Sequence, residues 1–185
     1  MEIINVLDVK TKEDFRSWLQ QNYKTEKACF VALSRKKDSD KIYYIDAVYE
    51  ALCFGWIDST LMPIDGQSYQ RFSPRSKNSP WTELNKARVR KLRELGLMTE
   101  EGLKVVPGLD DPFIIDVDII EAIKSDDETY QNFLKLPELY IRVRIDNIQR
   151  IRKDQVTFQK RLNKFLENTK QNIIFGDWHD DGKLL

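Results

Sequence analysis

The chain has 185 residues, with 30 Lys and Arg against 30 Asp and Glu, one histidine, two cysteines, seven glycines and six prolines. Its 41% hydrophobic and 11% aromatic content suits a packed core and is too high for a disordered chain. No stretch approaches the ~18 consecutive apolar residues of a spanning helix, so no membrane insertion is expected, and the zero net charge argues against a nucleic-acid coat, which usually carries a basic excess.

The start, Met1-Glu2-Ile3-Ile4-Asn5, has neither the basic region nor the apolar run of a signal peptide. Cys29 and Cys53 lie in apolar stretches and are too few for a disulfide framework, so a reducing, cytoplasmic setting is expected. Thr11 and Asp14 form a variant capping box, followed by Phe15, Trp18 and Leu19 at helical spacing. The run Ala28–Leu33 reads as a strand buried on both faces, ending in the polar loop 34–40. Ile45, Val48, Tyr49 and Leu52 return to helical spacing, which predicts a helix over 44–53 ended by Gly55. A strand over 56–62, a turn at Pro63-Ile64-Asp65-Gly66 and a partner strand over 67–73 make a hairpin. Its second strand alternates, with Tyr69, Arg71 and Ser73 on one face and Gln70 and Phe72 on the other.

Beyond the loop 73–80 the chain reads as helices. Ser79 is a candidate N-cap and Pro80 a first helical residue for a helix over 80–95 that stops near Gly96. Thr99 opens a short helix stopped by Pro107-Gly108. Segments 116–124 and 126–134 start with acids, as the helix dipole favours, and longer helices run from Pro137 to about 151 and over 155–169. The tail holding Phe175 and Trp178 is apolar enough to dock. These elements predict an α+β protein: an α+β sheet region over 1–78, mainly antiparallel, a helical region over 79–170 packed on it as one unit, and a docked or flexible tail over 171–185.

Charge is uneven along the chain. Residues 71–95 carry 8 cations and 2 anions, 96–128 carry 2 and 10, and 140–170 carry 9 and 3. The blocks either pair with one another or are solvated, or else they line a groove for an anion. In the helix over 80–95, Trp81, Leu84, Leu92 and Leu95 share a stripe with Asn85 and Arg88. An inward guanidinium needs a partner. That partner is either Asp58, as a structural bridge, or a ligand in a pocket with Arg71 and Arg75. Arginine forks suit carboxylate or phosphate. Trp56, Asp58, Arg71, Arg75, Trp81, Asn85 and Arg88 are therefore the candidate binding residues, for a small anionic molecule or a carboxylate. In the stripe of Ile141, Ile145 and Ile148, Arg144 and Arg152 read as edge residues that snorkel outward.

Catalytic constellations are sparse. His179 sits in an acidic tail with Asp177, Asp180 and Asp181, better read as solvated than as a metal cluster. Cys53 reads as a small hydrophobe. There is no phosphate loop, dinucleotide fingerprint or Cys-x-x-Cys, so no cofactor, metal or catalytic residue is assigned. The main expectation is a non-enzymatic binding protein. The alternatives are an adaptor that holds an acidic protein through the basic blocks, and an enzyme using Asp58 with the arginines. Asp58 beside cations is a weak base. Nucleic acid is not expected as a partner, and the oligomeric state is left open.

The run Ala51-Leu52-Cys53-Phe54-Gly55-Trp56-Ile57-Asp58, then Arg71-Phe72-Ser73-Pro74-Arg75, then Ser79-Pro80-Trp81-Thr82-Glu83-Leu84-Asn85, resembles the bacterial YdeI/OmpD-associated family, also labelled bacteriocin-protection. The resemblance extends over roughly residues 10–165. It implies a small cytosolic α+β protein with a helical C-terminal region, and protection against bacteriocins or association with an outer-membrane porin; the expected role of the chain is in stress or bacteriocin protection. Where the family tends to carry a Thr-Arg pair before Lys-Arg-Ile, this chain reads Thr157-Phe158-Gln159-Lys160-Arg161-Leu162. Any ligand contact made by that arginine is lost at Phe158.

Overall fold

The computed structural model describes residues 3–37 and 40–185. Met1 and Glu2 of the N-terminal segment, and Asp38 and Ser39 of the polar loop, lie outside them. The chain divides into two units. One holds the residues up to Trp81 together with Arg88–Leu109, and the other holds Thr82–Ala87 with Asp110–Leu185.

In the first unit, helix α1 (Lys12–Asn22) starts on the Thr11/Asp14 capping box and buries Phe15 and Leu19. A four-stranded sheet has the order β1-β2-β6-β5, made by β1 (Val6–Leu7), β2 (Cys29–Val31), β5 (Trp56–Ile64) and β6 (Gln67–Pro74). β1 runs parallel to β2, and the other pairings are antiparallel. β3 (Leu33–Ser34) and β4 (Ile42–Tyr43) form a separate parallel pair. Two-residue strands show no periodicity, which is why β1, β3 and β4 are not legible in the sequence. Cys29, Phe30 and Val31 are all fully buried, as a strand covered on both faces requires. Helix α2 (Tyr44–Cys53) falls where its spacing predicts.

The hairpin is longer than expected. β5 runs through Pro63 to Ile64, and the turn is the two residues Asp65 and Gly66, both at positive φ (47° and 80°). Asp-Gly with that geometry matches the twist of a tight hairpin. Pro63 is tolerated because β5 lies at the edge of the sheet.

Helix α3 (Glu83–Glu94) starts three residues after the predicted Pro80, and Ser79 is not its cap. Thr82 takes that place, its Oγ1 accepting from the Asn85 N–H at 3.1 Å. The Ser79 hydroxyl is used by Ser76 instead, at 3.1 Å. The buried residues of α3 in the first unit are Val89 and Leu92, while Leu95 is 58% exposed. Leu95 leaves the stripe because the helix ends before it. Gly96 takes a positive φ of 68°, and the Gly96→Arg93 and Leu97→Leu92 backbone bonds close a Schellman motif. Helix α4 (Glu100–Lys104) is capped by Thr99, whose backbone N–H and hydroxyl both donate to the Cys53 carbonyl, at 3.0 and 2.7 Å. At Gly102 the chain passes so close to that carbonyl that any Cβ would overlap it.

The second unit is helical: α5 (Val117–Lys124), α6 (Asp127–Phe133), α7 (Glu138–Gln149) and α8 (Gln155–Lys170). Asp126 and Asp154 cap α6 and α8. Tyr140 is the centre of an aromatic cluster, with ring centroids 5.6 Å from Trp178, 6.2 Å from Phe175 and 6.4 Å from Phe165. Trp178 is 8% exposed, so the tail docks on this unit. Phe158, where the family pattern has arginine, is core at 4% exposure, with the Arg152 guanidinium 4.5 Å above its ring.

Buried ionic chemistry also belongs here. Arg142 donates through Nε to the Glu83 carboxylate at 2.9 Å, with Nη2 in ion-pair contact at 2.8 Å, and the Glu83 N–H donates to Asp146 at 3.1 Å. Burial raises the Asp146 carboxyl above its usual range. The acidic block and the second basic block meet through Arg152 with Asp116 and Asp118, and through Lys170 with Asp126.

Candidate functional site

The strand register sorts the residues singled out from the sequence. In an antiparallel pair, directly opposed residues point to the same side of the sheet. Asp58 opposes Phe72 and Trp56 opposes Pro74, so Trp56 and Asp58 lie on the face where Phe72 is fully buried. Arg71 lies on the other face with Ser73, and Nη1 donates to Ser73 Oγ at 2.9 Å and Ser59 Oγ at 3.2 Å. Arg71 and Asp58 are thus separated by the sheet itself.

Asp58 has a different neighbourhood from the one its sequence context suggests. Its Oδ2 accepts the Tyr44 hydroxyl at 2.6 Å, and the Arg35 guanidinium lies 3.7 Å over the Tyr44 ring. Burial and the adjacent carboxylate push the Tyr44 hydroxyl up to about 12, while Arg35 and Arg88 pull it down. Tyr44 therefore stays protonated and donating near neutral pH. Arg88 is half-buried and acts on this cluster through its charge. Arg35 and Tyr44 were not legible as partners of Asp58, because the contact spans three separate elements. Asn85 counts with the helical unit, where its backbone caps against Thr82.

Trp56 and Arg75 are brought together. Both line an open groove of about 560 Å³ with Tyr23, Lys24, Phe54, Gly55, Pro74, Glu101, Lys104 and Val105. Trp56 is 1% exposed, held edge-on by Trp18 at 5.8 Å and by its Nε1 donating to the Tyr23 carbonyl at 3.2 Å. The chain turns at Gly55 with φ 74°, and its carbonyl accepts the Arg75 N–H at 2.9 Å. The Arg75 guanidinium stacks 3.9 Å over Trp81 and donates to the Pro80 carbonyl. Trp81 in turn donates to the carbonyl of Val105, a residue of the groove, at 3.1 Å. Lys24, Arg75 and Lys104 face one carboxylate, Glu101, which sits 3.6 Å from Lys104. The groove is lined by aromatic and by cationic side chains. Lys24 and Lys104 carried no sequence signal, being solitary cations on separate elements.

Among the described residues, no group of three or more His, Cys, Asp and Glu side chains could hold a metal ion. His179 accepts the Gly182 N–H at its Nδ1, at 2.8 Å, so it serves to fold the tail. Both cysteines are free and buried, and burial pushes the Cys53 thiol up to about 11, which makes it a poor nucleophile. No helix among the described residues is long and apolar enough to cross a membrane.

Residues 7–105 match the family model described as a domain of unknown function (DUF8412), more than half of the chain. Residues 112–172 match the model described as bacteriocin-protection, YdeI or OmpD-associated. The second match bears out the resemblance seen in the sequence. The three motifs that suggested it, between Ala51 and Asn85, lie within the stretch matched by the first model. The two models part between residues 105 and 112, close to the Leu109/Asp110 division of the fold. No curated protein and no solved structure matches the chain.

Proposed function

The chain belongs to the family of the domain of unknown function (DUF8412), with a YdeI/OmpD-associated segment at residues 112–172, and from that premise we propose that it is a non-enzymatic binding protein for a carboxylate carried on an apolar body. A small organic acid or a peptide C-terminus fits that description. The observation that carries this reading is the groove beside Trp56. Its aromatic and cationic lining, with Arg75 stacked on Trp81, is the combination that small-ligand sites use. An arginine held by a ring face and a carbonyl is already oriented, so little side-chain freedom is lost when it takes an anion. The family description for residues 112–172 supports a role in bacteriocin protection. The two free, buried thiols suit a cytoplasmic place for that role.

Thermal-shift measurements with a panel of aromatic and aliphatic carboxylates, each paired with its neutral amide, test the reading. A cognate acid at ~100 times its Kd stabilises the protein by ~2.7 kcal/mol. The expected result is a rise in Tm with an acid, none with its amide, and loss of the rise in Arg75→Ala. No rise with any acid, or an equal rise in Arg75→Ala, overturns the proposal. Loss in Arg71→Ala alone would move the site to the other face of the sheet.

A further inference from the structure

The helical unit has its own cavity, independent of the groove above. It is about 330 Å³ in volume and lined by Arg144, Asn147 and Ile148 of α7, Arg161, Lys164 and Phe165 of α8, and Phe175 of the tail. Each helix contributes residues at i, i+3 and i+4, the spacing that puts them on one face. Three cations thus meet over an aromatic wall, and no Asp or Glu lines the cavity.

Three other cations in this unit have carboxylate partners. Arg142 has Glu83 and Glu138, Arg152 has Asp116 and Asp118, and Lys170 has Asp126. Arg144, Arg161 and Lys164 form no ion pair among the described residues. Arg161 donates through Nη1 to the Asn147 carbonyl at 2.6 Å, and Arg144 through Nη2 to the Asp177 carbonyl at 2.6 Å. Those carbonyls position the guanidiniums, and the acids nearest them, Asp177 for Arg144 and Asp154 for Arg161, act on them through space without forming an ion pair. Arg144 is further clamped between ring faces, 5.6 Å from the Tyr140 centroid and 5.1 Å from Phe175, and Lys164 sits 4.9 Å from Phe175. Gly176 passes directly against the Arg144 guanidinium, where a Cβ would come within 3.0 Å of both terminal nitrogens. The Arg144 Nε is buried with no hydrogen-bond partner among the described residues. Three like charges around one concavity repel one another, and an anion entering it offsets that repulsion.

We propose that this cavity binds a phosphate monoester, with Arg161 and Lys164 grasping the phosphate, Arg144 backing it from inside, and the organic part against Phe165 and Phe175. A dianionic head answers three cations better than a single carboxylate does, and the guanidinium fork matches phosphate oxygens. The volume admits a small phosphorylated molecule or the head of an anionic phospholipid. Arg161 and Lys164 are exposed and can be replaced without opening the core.

The test uses the full chain at fixed ionic strength. Phenyl phosphate and inorganic phosphate are titrated calorimetrically, and vesicles of phosphatidic acid in phosphatidylcholine are tested by co-sedimentation. The same is done with the double variant Arg161→Gln/Lys164→Gln and with the control Lys153→Gln, a cation outside the cavity. The expected result is binding that falls on the order of tenfold for each cation removed and persists in the control. Helical circular dichroism of the double variant should match the parent. Binding of the soluble phosphates that the double variant loses supports a small-molecule source, and loss confined to vesicles supports a lipid source. Absence of binding to all three probes, or binding that the double variant retains, overturns the proposal.

Discussion

In the sheet unit, Arg35, Arg71 and Arg75 rest on ring faces, hydroxyls and a carbonyl. In the helical unit, Arg142 and Arg152 are held by carboxylates. Arg16 with Glu50, at 2.7 Å, shows that the first unit also uses a carboxylate when it needs a brace, here between α1 and α2. The contrast separates two uses of the same side chain. An arginine given an acid is a strut, since its charge is spent inside the fold. An arginine that meets a ring face or a carbonyl at the wall of a concavity, as Arg75 and Arg144 do, has its fork held in place there.

The comparison can be broken at its supports. The sheet unit should depend on apolar packing, so the largest effect is expected at Phe72, which is fully buried with its ring centroid 5.1 Å from that of Phe15. Phe72→Ala should cost about 4 kcal/mol in denaturant unfolding. The helical unit should depend on its buried pair, so Glu83→Ala, which leaves Arg142 only the exposed Glu138, should cost about 3 kcal/mol. Replacing both partners, as Glu83→Met with Arg142→Leu, should recover most of that loss. If the double variant is no better than the single, the pair does more than satisfy itself. A smaller loss, about 2 kcal/mol, is expected for Gly102→Ala, because the Cβ must displace the Cys53 carbonyl and with it the Thr99 cap; unchanged stability would mean that α4 shifts freely.

The smallest effect is a pH dependence. Lys170 and Thr129 hold the Asp126 carboxyl down at about 2, against 3.8 unperturbed. A depressed acid stabilises the fold above its unfolded value, and that contribution fades as pH falls from about 4 through about 2. Acid titration of Asp126→Asn should lack this part of the loss. An identical acid limb in variant and parent would show that the exposed pair contributes nothing.

Legibility followed element length and chemistry. α1 could be read because cap and period agreed, with Thr11 and Asp14 marking its start, while α2 could be read from its apolar spacing and Gly55 alone and α7 from Pro137 at its start. The start of α3 was misplaced because Ser79-Pro80 and Thr82 are both acceptable openings, and the tie between Ser76 and Ser79 that decides between them is not visible in a local pattern. Trp56 and Arg75 could be named as site residues, but their groove partners Lys24 and Lys104 could not, since only tertiary packing brings solitary cations together. Arg144 was noticed as an intruder in an isoleucine stripe. The matching Arg161, Lys164 and Phe165 on α8 show the same spacing, and only the α7–α8 pairing reveals that the two sets face each other.

The sheet has two unlike borders. At one end β1 offers a mere two residues, and at the other β5 carries Pro63 and an irregular register between Asp58 and Leu61. A further strand approaching β5 would find one amide donor missing and the spacing of the others interrupted, while β1 is too short to template anything. Lateral addition is therefore disfavoured at both borders, which protects a long hairpin that exposes Leu61 on its edge strand.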